Sequence, residues 1–402
     1  MTARVIDACR ACGGRALVEV ANLGEQYLSD FRDDEVRPPR YPLVAYWCAI
    51  CSLLQLGHTA PAAEMYHPRY SFKSGVNPAI AADLADVVRY ALAAKPDAEA
   101  WLDIASNDGT LLAAVPPAIY RVGVDPLAQF AEEAARHADR IVVSFFRPEF
   151  LPKWHFDVIT SVSMFYDVDD PNAFVAGVRR VLAPDGVWVI QQNYVGSMLT
   201  AGSVDNISHE HLTYWSLRSL SRLLGRHGLE VVDVQLNPIN GGCFRTLVCR
   251  KGDRPVQPSV AALAAAERAQ GLERAETYWR FADRARDTLI ELAALVAGIN
   301  DRGERVYVYG ASTRGGTLWQ AAGLTERDLP FVVDRNPAKV GRRMSALGSL
   351  IISEEQARVA RPQYLLVGPW WFADDFSERE SEYLERGGKM IIPLPHLKVV
   401  GR

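Results

Sequence analysis

From about residue 79 onward the chain alternates two textures: short apolar runs that read as buried strands, and segments with helical spacing. "AIAADLADVVRYALAA" repeats its apolar residues at helical intervals, and "AWLDIA" follows as a short strand. "YRVGVDP", "RIVVSFF", "FDVITSVSMF" and "DGVWVIQQNY" then renew the strand signal in order. Strands that alternate with helices predict a doubly wound sheet. "GLEVVDVQLNPINGGCFRTLVCRK" reads as two strands joined by an Asn-Gly-Gly turn, hence an antiparallel pair. Residues 258–300, rich in Ala, Arg and Glu at helical period, predict long connecting helices. A second strand–helix series follows in "RVYVYGASTRGGTLWQAAG", "LPFVVDRNP", "PQYLLVGPWWF" and "KMIIPLP".

Residues 1–60 lack this alternation and gather aromatic and β-prone residues in "YPLVAYWCAICSLLQL". The expected class is α/β with three parts. A small β-rich module and its connector cover 1–78, a central Rossmann-like domain 79–252, and a helical connector with a C-terminal Rossmann-like α/β domain 253–402. A length of 402 residues suits two or three domains.

Composition narrows the function classes. Hydrophobic content of 49% and charged content of 23% describe a globular chain able to bury real cores. With a net charge of −4 and no basic run interleaved with aromatics, no nucleic-acid partner is expected. No stretch of membrane-spanning length is apolar and no signal-peptide core opens the chain, so the expected address is the cytoplasm. Nothing in the sequence speaks to oligomeric state.

Of six cysteines, four form two Cys-x-x-Cys pairs, Cys9 with Cys12 and Cys48 with Cys51. In a reducing compartment such pairs point to metal, and four thiolates suit a closed, tetrahedral, structural zinc. Iron in a rubredoxin-like site and a redox dithiol use the same residues. Cys243 and Cys249 lie in an apolar run and read as core.

"LDIASNDGTLLAAV" ends a strand with Asp103, turns through Ala105, Ser106, Asn107, Asp108 and Gly109, and opens a helix. A pyrophosphate-binding turn wants G-x-G-x-x-G so that bare backbone can approach phosphate. This turn lacks that spacing and carries acids, which suits the cationic S-adenosylmethionine better. Asp125, followed by Pro126, ends the next strand, where open α/β sheets place a carboxylate for ribose hydroxyls. Capping of the following helix is the plainer role for Asp125.

"SHEHLTYW", residues 208–215, holds two of the eight histidines. Metal hydrolases space such histidines as H-E-x-x-H on a helix face, and here they are two apart with no third ligand evident. A structural histidine pair and a substrate-facing base are the other readings. In the last unit "YGASTRGGT" resembles a strand–turn–helix anion site, with Arg314 and the backbone of Gly315 as candidate diphosphate ligands. A tight packing turn is the bland reading.

CRACGG, CAIC, "DIASNDGTLL", "PDGVWVIQQNY", "DNISHEHLTYWSL" and "YGASTRGGTL…VVDRNPAK" together resemble the sugar C-methyltransferases, in the same order and over essentially the full length. The resemblance implies a zinc module, a central S-adenosylmethionine domain and a C-terminal Rossmann-like domain. It implies S-adenosylmethionine and structural Zn2+ as cofactors. The implied acceptor is a nucleotide-diphosphate keto-deoxysugar of the kind found in antibiotic biosynthesis, bound in the cleft between the domains. It implies that His211 is the general base, with Glu210 and His209 as neighbours, and that Met164 lines the donor site. Relatives often keep a tyrosine where this chain has Ser208, so Tyr166 and Tyr214 are candidate replacements for its phenol. The family's Y-x-Y-x-S connector appears as Tyr70, Phe72 and Ser74, with Lys73 in reach of a phosphate. Competing functions are an O- or N-methyltransferase with the same donor site, and a nucleotide-sugar oxidoreductase or binding protein.

Overall fold

The computed structural model describes residues 2–34, 36–67, 70, 72–151 and 155–401. Part of the expected connector, residues 68, 69 and 71, lies outside these.

The central unit is built on a seven-stranded sheet of β1 (Ala100–Ile104), β2 (Tyr120–Asp125), β3 (Arg140–Val143), β4 (Phe156–Val162), β5 (Leu182–Asn193), β6 (Leu229–Asn237) and β7 (Cys243–Arg250). Its spatial order is β6-β7-β5-β4-β1-β2-β3. All pairs from β5 to β3 are parallel, and β7 runs antiparallel to both β5 and β6. Every residue of β1 is buried, as expected of a strand covered on both faces. The order in which strands are added reverses between the neighbours β1 and β4, and the carboxyl ends of the strands there open toward a ligand crevice. The Asn-Gly-Gly turn forms as expected: Asn240 has φ 53°, Gly241 84° and Gly242 118°.

The N-terminal module is antiparallel, with Leu17–Tyr27, Arg40–Cys48 and Leu54–Leu56 side by side. Its fourth strand, Thr213–Tyr214, is borrowed from the central unit and pairs with Leu54–Leu56. Two helices, Pro258–Gln270 and Ala275–Asp301, fill the connector predicted as helical. The last unit holds parallel strands Val306–Tyr309, Phe331–Val333, Leu350–Ile352, Tyr364–Val367 and Lys389–Ile392. At its edge Arg343–Met344 pairs with Phe31–Arg32 of the N-terminal module. The three parts are therefore laced by strands as well as by packing. Among the described residues no helix is long and apolar enough to cross a membrane.

Candidate active site

The four paired cysteines converge: their sulfur atoms all lie within 4.8 Å of one another, with Cys9–Cys51 at 3.4 Å and Cys12–Cys48 at 3.6 Å. Zinc bonded to each thiolate at about 2.3 Å fits a cluster of this size. None of the four lines the cavities described below, so this zinc is structural.

At the carboxyl ends of β1, β2 and β4 lies a cavity of about 1420 Å³. Asp103, Ala105, Ser106, Asn107, Asp125, Pro126 and Met164 line it, with Tyr70, Phe72 and Ser74 of the connector. Asp103 is 3% exposed and accepts from Thr160 Oγ1 at 2.7 Å; burial pushes its pKa up to about 7. Both Asp125 oxygens accept backbone N–H groups, from Asn107 at 2.9 Å and Leu127 at 2.8 Å, while burial raises its pKa. The expected alternative, a cap on the following helix, does not form, since that helix has Leu127 at its N-cap with no side-chain cap; each Asp125 oxygen keeps a lone pair for a ligand hydroxyl. The buried Ser106 hydroxyl has no partner among the described residues, as expected of a group awaiting a ligand. These donors and acceptors fit S-adenosylmethionine.

Three non-glycine residues on the cavity wall hold left-handed backbone: Ala105 (φ 62°), Asn107 (φ 49°) and Ser163 (φ 54°). Such conformations cost about 1–2 kcal/mol for most residues and concentrate at functional sites. Asp108 and Gly109 stand behind the wall. Asp108 accepts from Gly75 N–H at 2.9 Å, and Gly109, at φ 81°, brings its backbone so close that a Cβ would meet Ala134 Cα at 2.8 Å.

A second cavity, about 660 Å³, lies between the central and C-terminal units. Its wall includes His211, Glu210, Tyr166, Lys73 and Arg314. Met65, Tyr70, Phe72, Ser163, Asp167 and Asn240 line both cavities, so the two meet across these side chains.

His211 Nδ1 lies 2.9 Å from the Asn206 carbonyl oxygen. A carbonyl only accepts, so Nδ1 carries the proton and the neutral ring keeps its lone pair on Nε2. The Tyr166 ring packs on the imidazole at 4.3 Å between centroids. Burial first, then the nearby Arg314 charge, lower the His211 pKa to about 3. Burial alone lifts Glu210 to about 7. Asp167, buried and next to Glu210, is held well above the usual carboxylate range.

The other half of the cluster is not at the cavity. His209 Nε2 donates to the Tyr41 carbonyl at 3.0 Å, and desolvation lowers its pKa to about 4. Ser208 and His209 line neither cavity and border a void of about 10 Å³, too small for a ligand. Tyr214 is 3% exposed within the borrowed strand, and Trp215 stacks on Phe165 at 5.3 Å. His209, Ser208 and Tyr214, expected at the site, thus line neither of the two cavities. Tyr166 alone of the two candidate phenols faces the cavity.

The expectations for Gly315, Arg314 and Lys73 change too. Gly315 N–H donates to the Ser312 side chain at 3.0 Å, capping its own helix, and is spent. Arg314 is engaged by Asp205, with its Nη2 at 2.9 Å. Lys73 faces the cavity and pairs with Glu133. Sequence reasoning missed Asp167 and Asn240, which reach the junction from separate turns and share no spacing with any motif.

Residues 9–66 match the family described as "Putative zinc binding domain", 78–234 that described as methyltransferase domain, and 238–395 that described as C-methyltransferase C-terminal domain. C-methyltransferase NovU of Streptomyces niveus is 30% identical over 418 residues, covering 99% of this chain and 97% of NovU. Among solved structures, mitomycin 7-O-methyltransferase MmcR superposes with TM-score 0.36 and 20% identity, over 44% of this chain and 55% of MmcR. N-methyltransferase NodS of Bradyrhizobium japonicum WM9 gives TM-score 0.35 and 14% identity, over 44% of this chain and 98% of NodS. Neither structural likeness is close enough to bear on the chemistry.

Proposed function

Because the chain belongs to the C-methyltransferase family and is an S-adenosylmethionine-dependent enzyme, we propose that it methylates a carbon beside the ketone of a nucleotide-diphosphate keto-deoxysugar. The observation that carries this reading is His211, a neutral imidazole on the acceptor cavity wall whose Nδ1 is held by Asn206 and whose Nε2 has no hydrogen-bond partner among the described residues. A carbon beside a ketone becomes nucleophilic only after it loses a proton, and on this wall the Nε2 lone pair of His211 is the proposed acceptor for it.

His211 takes the proton at Nε2, and the developing imidazolium hands its Nδ1–H contact no new task. The enolate oxygen needs a hydrogen-bond donor, and the Tyr166 hydroxyl and the carboxyls of Asp167 and Glu210, both pushed toward the neutral form by desolvation, are the groups this cavity offers. S-adenosylmethionine, when bound, supplies the electrophilic methyl group; Asp125 would hold its ribose, and Asp103, Ser106, Asn107 and Met164 the rest of it. Asp167, Ser163 and Tyr70 stand where the two cavities join and orient donor and acceptor toward each other. On the far side of the acceptor cavity Trp371, Phe372 and Phe376 offer surfaces for a base, and Arg335 offers charge for a diphosphate.

The test is the product. Incubation with S-adenosylmethionine and a panel of thymidine- and guanosine-diphosphate keto-sugars should yield a new C–CH3 resonance with one panel member. A new O–CH3 or N–CH3 resonance instead sinks the proposal.

A further inference from the structure

Arg314 lies on the C-terminal helix Thr313–Ala321, and all its polar atoms are engaged within the protein. Nε donates to Asp205 Oδ2 at 3.0 Å, Nη2 lies 2.9 Å from the same oxygen in an ion pair, and Nη1 donates to the Asn240 carbonyl. Its guanidinium lies over the Trp371 ring, 4.1 Å from the centroid. Trp370 Nε1 donates to the same Asp205 oxygen at 3.0 Å. The pair is almost wholly enclosed, with side-chain exposures of 10% and 1%. A guanidinium so committed is poorly placed to receive a phosphate.

What the pair does hold is a turn. Asp205 is the middle residue of Val204–Asn206, and the next carbonyl, that of Asn206, is the one that accepts His211 Nδ1–H. The Asn206 side chain is itself fixed by Asn193 Nδ2 at 2.5 Å. On the opposite side Gly241, at φ 84°, lets the hairpin turn close on Trp370, where a Cβ would stand 3.2 Å from the ring. Three segments from two units therefore lock around Arg314, and the carbonyl that sets the histidine tautomer belongs to one of them.

We propose that Arg314 and Asp205 are positioning residues: through their ion pair the C-terminal unit fixes the 204–206 turn, and the Asn206 carbonyl then keeps His211 as the Nδ1–H tautomer with Nε2 toward the acceptor. Its catalytic meaning rests on His211 being the base. Removing the fork frees the turn, and a histidine with the wrong tautomer presents a proton where a lone pair is needed. The charges play a second part. Facing His211 are Arg314, the Tyr166 ring, and the Glu210, Asp167 and Tyr70 groups of the same cavity. The Arg314 charge, together with burial, opposes protonation of the ring.

The experiment uses full-length protein with 15N-labelled histidine and long-range proton–nitrogen spectra, the His211 signals being identified by their loss in His211→Asn. The parent protein should show a pure Nδ1–H tautomer with no titration between about pH 6 and 8. Arg314→Gln should give mixed tautomers and move the titration upward. Asp205→Asn should give mixed tautomers with the titration still below the window, because the Arg314 charge is no longer offset. Turnover on a thymidine-diphosphate keto-deoxysugar probe should fall about 10- to 100-fold in each, with S-adenosylmethionine affinity by calorimetry unchanged. Should either variant fail to fold by its melting curve, Arg314→Lys takes its place, since it keeps the charge, loses the fork and should still mix the tautomers. A pure Nδ1–H tautomer in folded variants overturns the coupling. Mixed tautomers with turnover intact overturn the proposal together with the base assignment.

Discussion

Among the described residues the His211 side chain is held by one hydrogen bond and one ring contact, and it does not line the donor cavity, so its replacement should separate binding from chemistry. His211→Asn is expected to keep S-adenosylmethionine affinity, measured by calorimetry, and to lose about a hundred- to ten-thousand-fold in turnover. Near-normal turnover would remove His211 as the base. Glu210 gives a second prediction at this scale. Burial raises its pKa from 4.5 to about 7, so the folded protein binds more protons than the unfolded chain in that interval. Its contribution to stability therefore falls as pH rises from 4.5 to 7. Glu210→Gln should flatten that decline in melting temperature, and a parallel curve would contradict it. The cluster "SHEHLTYW" shows how far residue-level reading reaches. It located the segment, and His211 and Glu210 do face the cavity. It did not separate them from His209 and Ser208, because a tight turn, with His211 N–H bonded to the Ser208 carbonyl at 3.1 Å, breaks strand alternation within four residues.

Among elements, the strand-to-helix turn after β1 carries the sharpest prediction. Gly109→Ala would place a methyl against Ala134 in a left-handed conformation. It should destabilise the fold by about 1–3 kcal/mol and weaken S-adenosylmethionine binding, both readable from melting curves with and without the ligand. The zinc module offers another. Cys48 ends the strand that pairs with Leu54–Leu56, which in turn pairs with Thr213–Tyr214, two residues beyond His211. Stripping zinc with a chelator should lower the melting temperature and turnover together, although no thiol touches the cavities. Full turnover after metal analysis confirms zinc loss would refute that link. The long periodic elements, such as Pro78–Ala94 and Ala275–Asp301, were legible because their burial follows one period. The two-residue strands Phe31–Arg32 and Thr213–Tyr214 were not, since two residues have no period and their partners lie far away in the chain.

For the whole molecule, these short strands decide how the units behave together. Each Rossmann-like part is recognisable in the sequence, and so is the metal module. Their interlocking is not, because it depends on contacts such as Arg37 with Glu326 at 2.6 Å and Gln26 with the Thr317 carbonyl at 3.4 Å. Calorimetric unfolding should accordingly show one cooperative transition, and three resolved transitions would contradict the interlocking.

The pairing of Phe31–Arg32 with Arg343–Met344 also has a meaning in time. Ser345 Oγ donates to the Asp30 carbonyl across 315 positions of sequence. On a ribosome, the early edge must wait roughly half a minute at ordinary elongation rates before its partner emerges. Until then it is an uncovered strand edge on a nascent chain, open to the wrong neighbour. Fragments that stop before residue 343 should thus be the ones that collect in inclusion bodies, and holdase chaperones should matter most during synthesis.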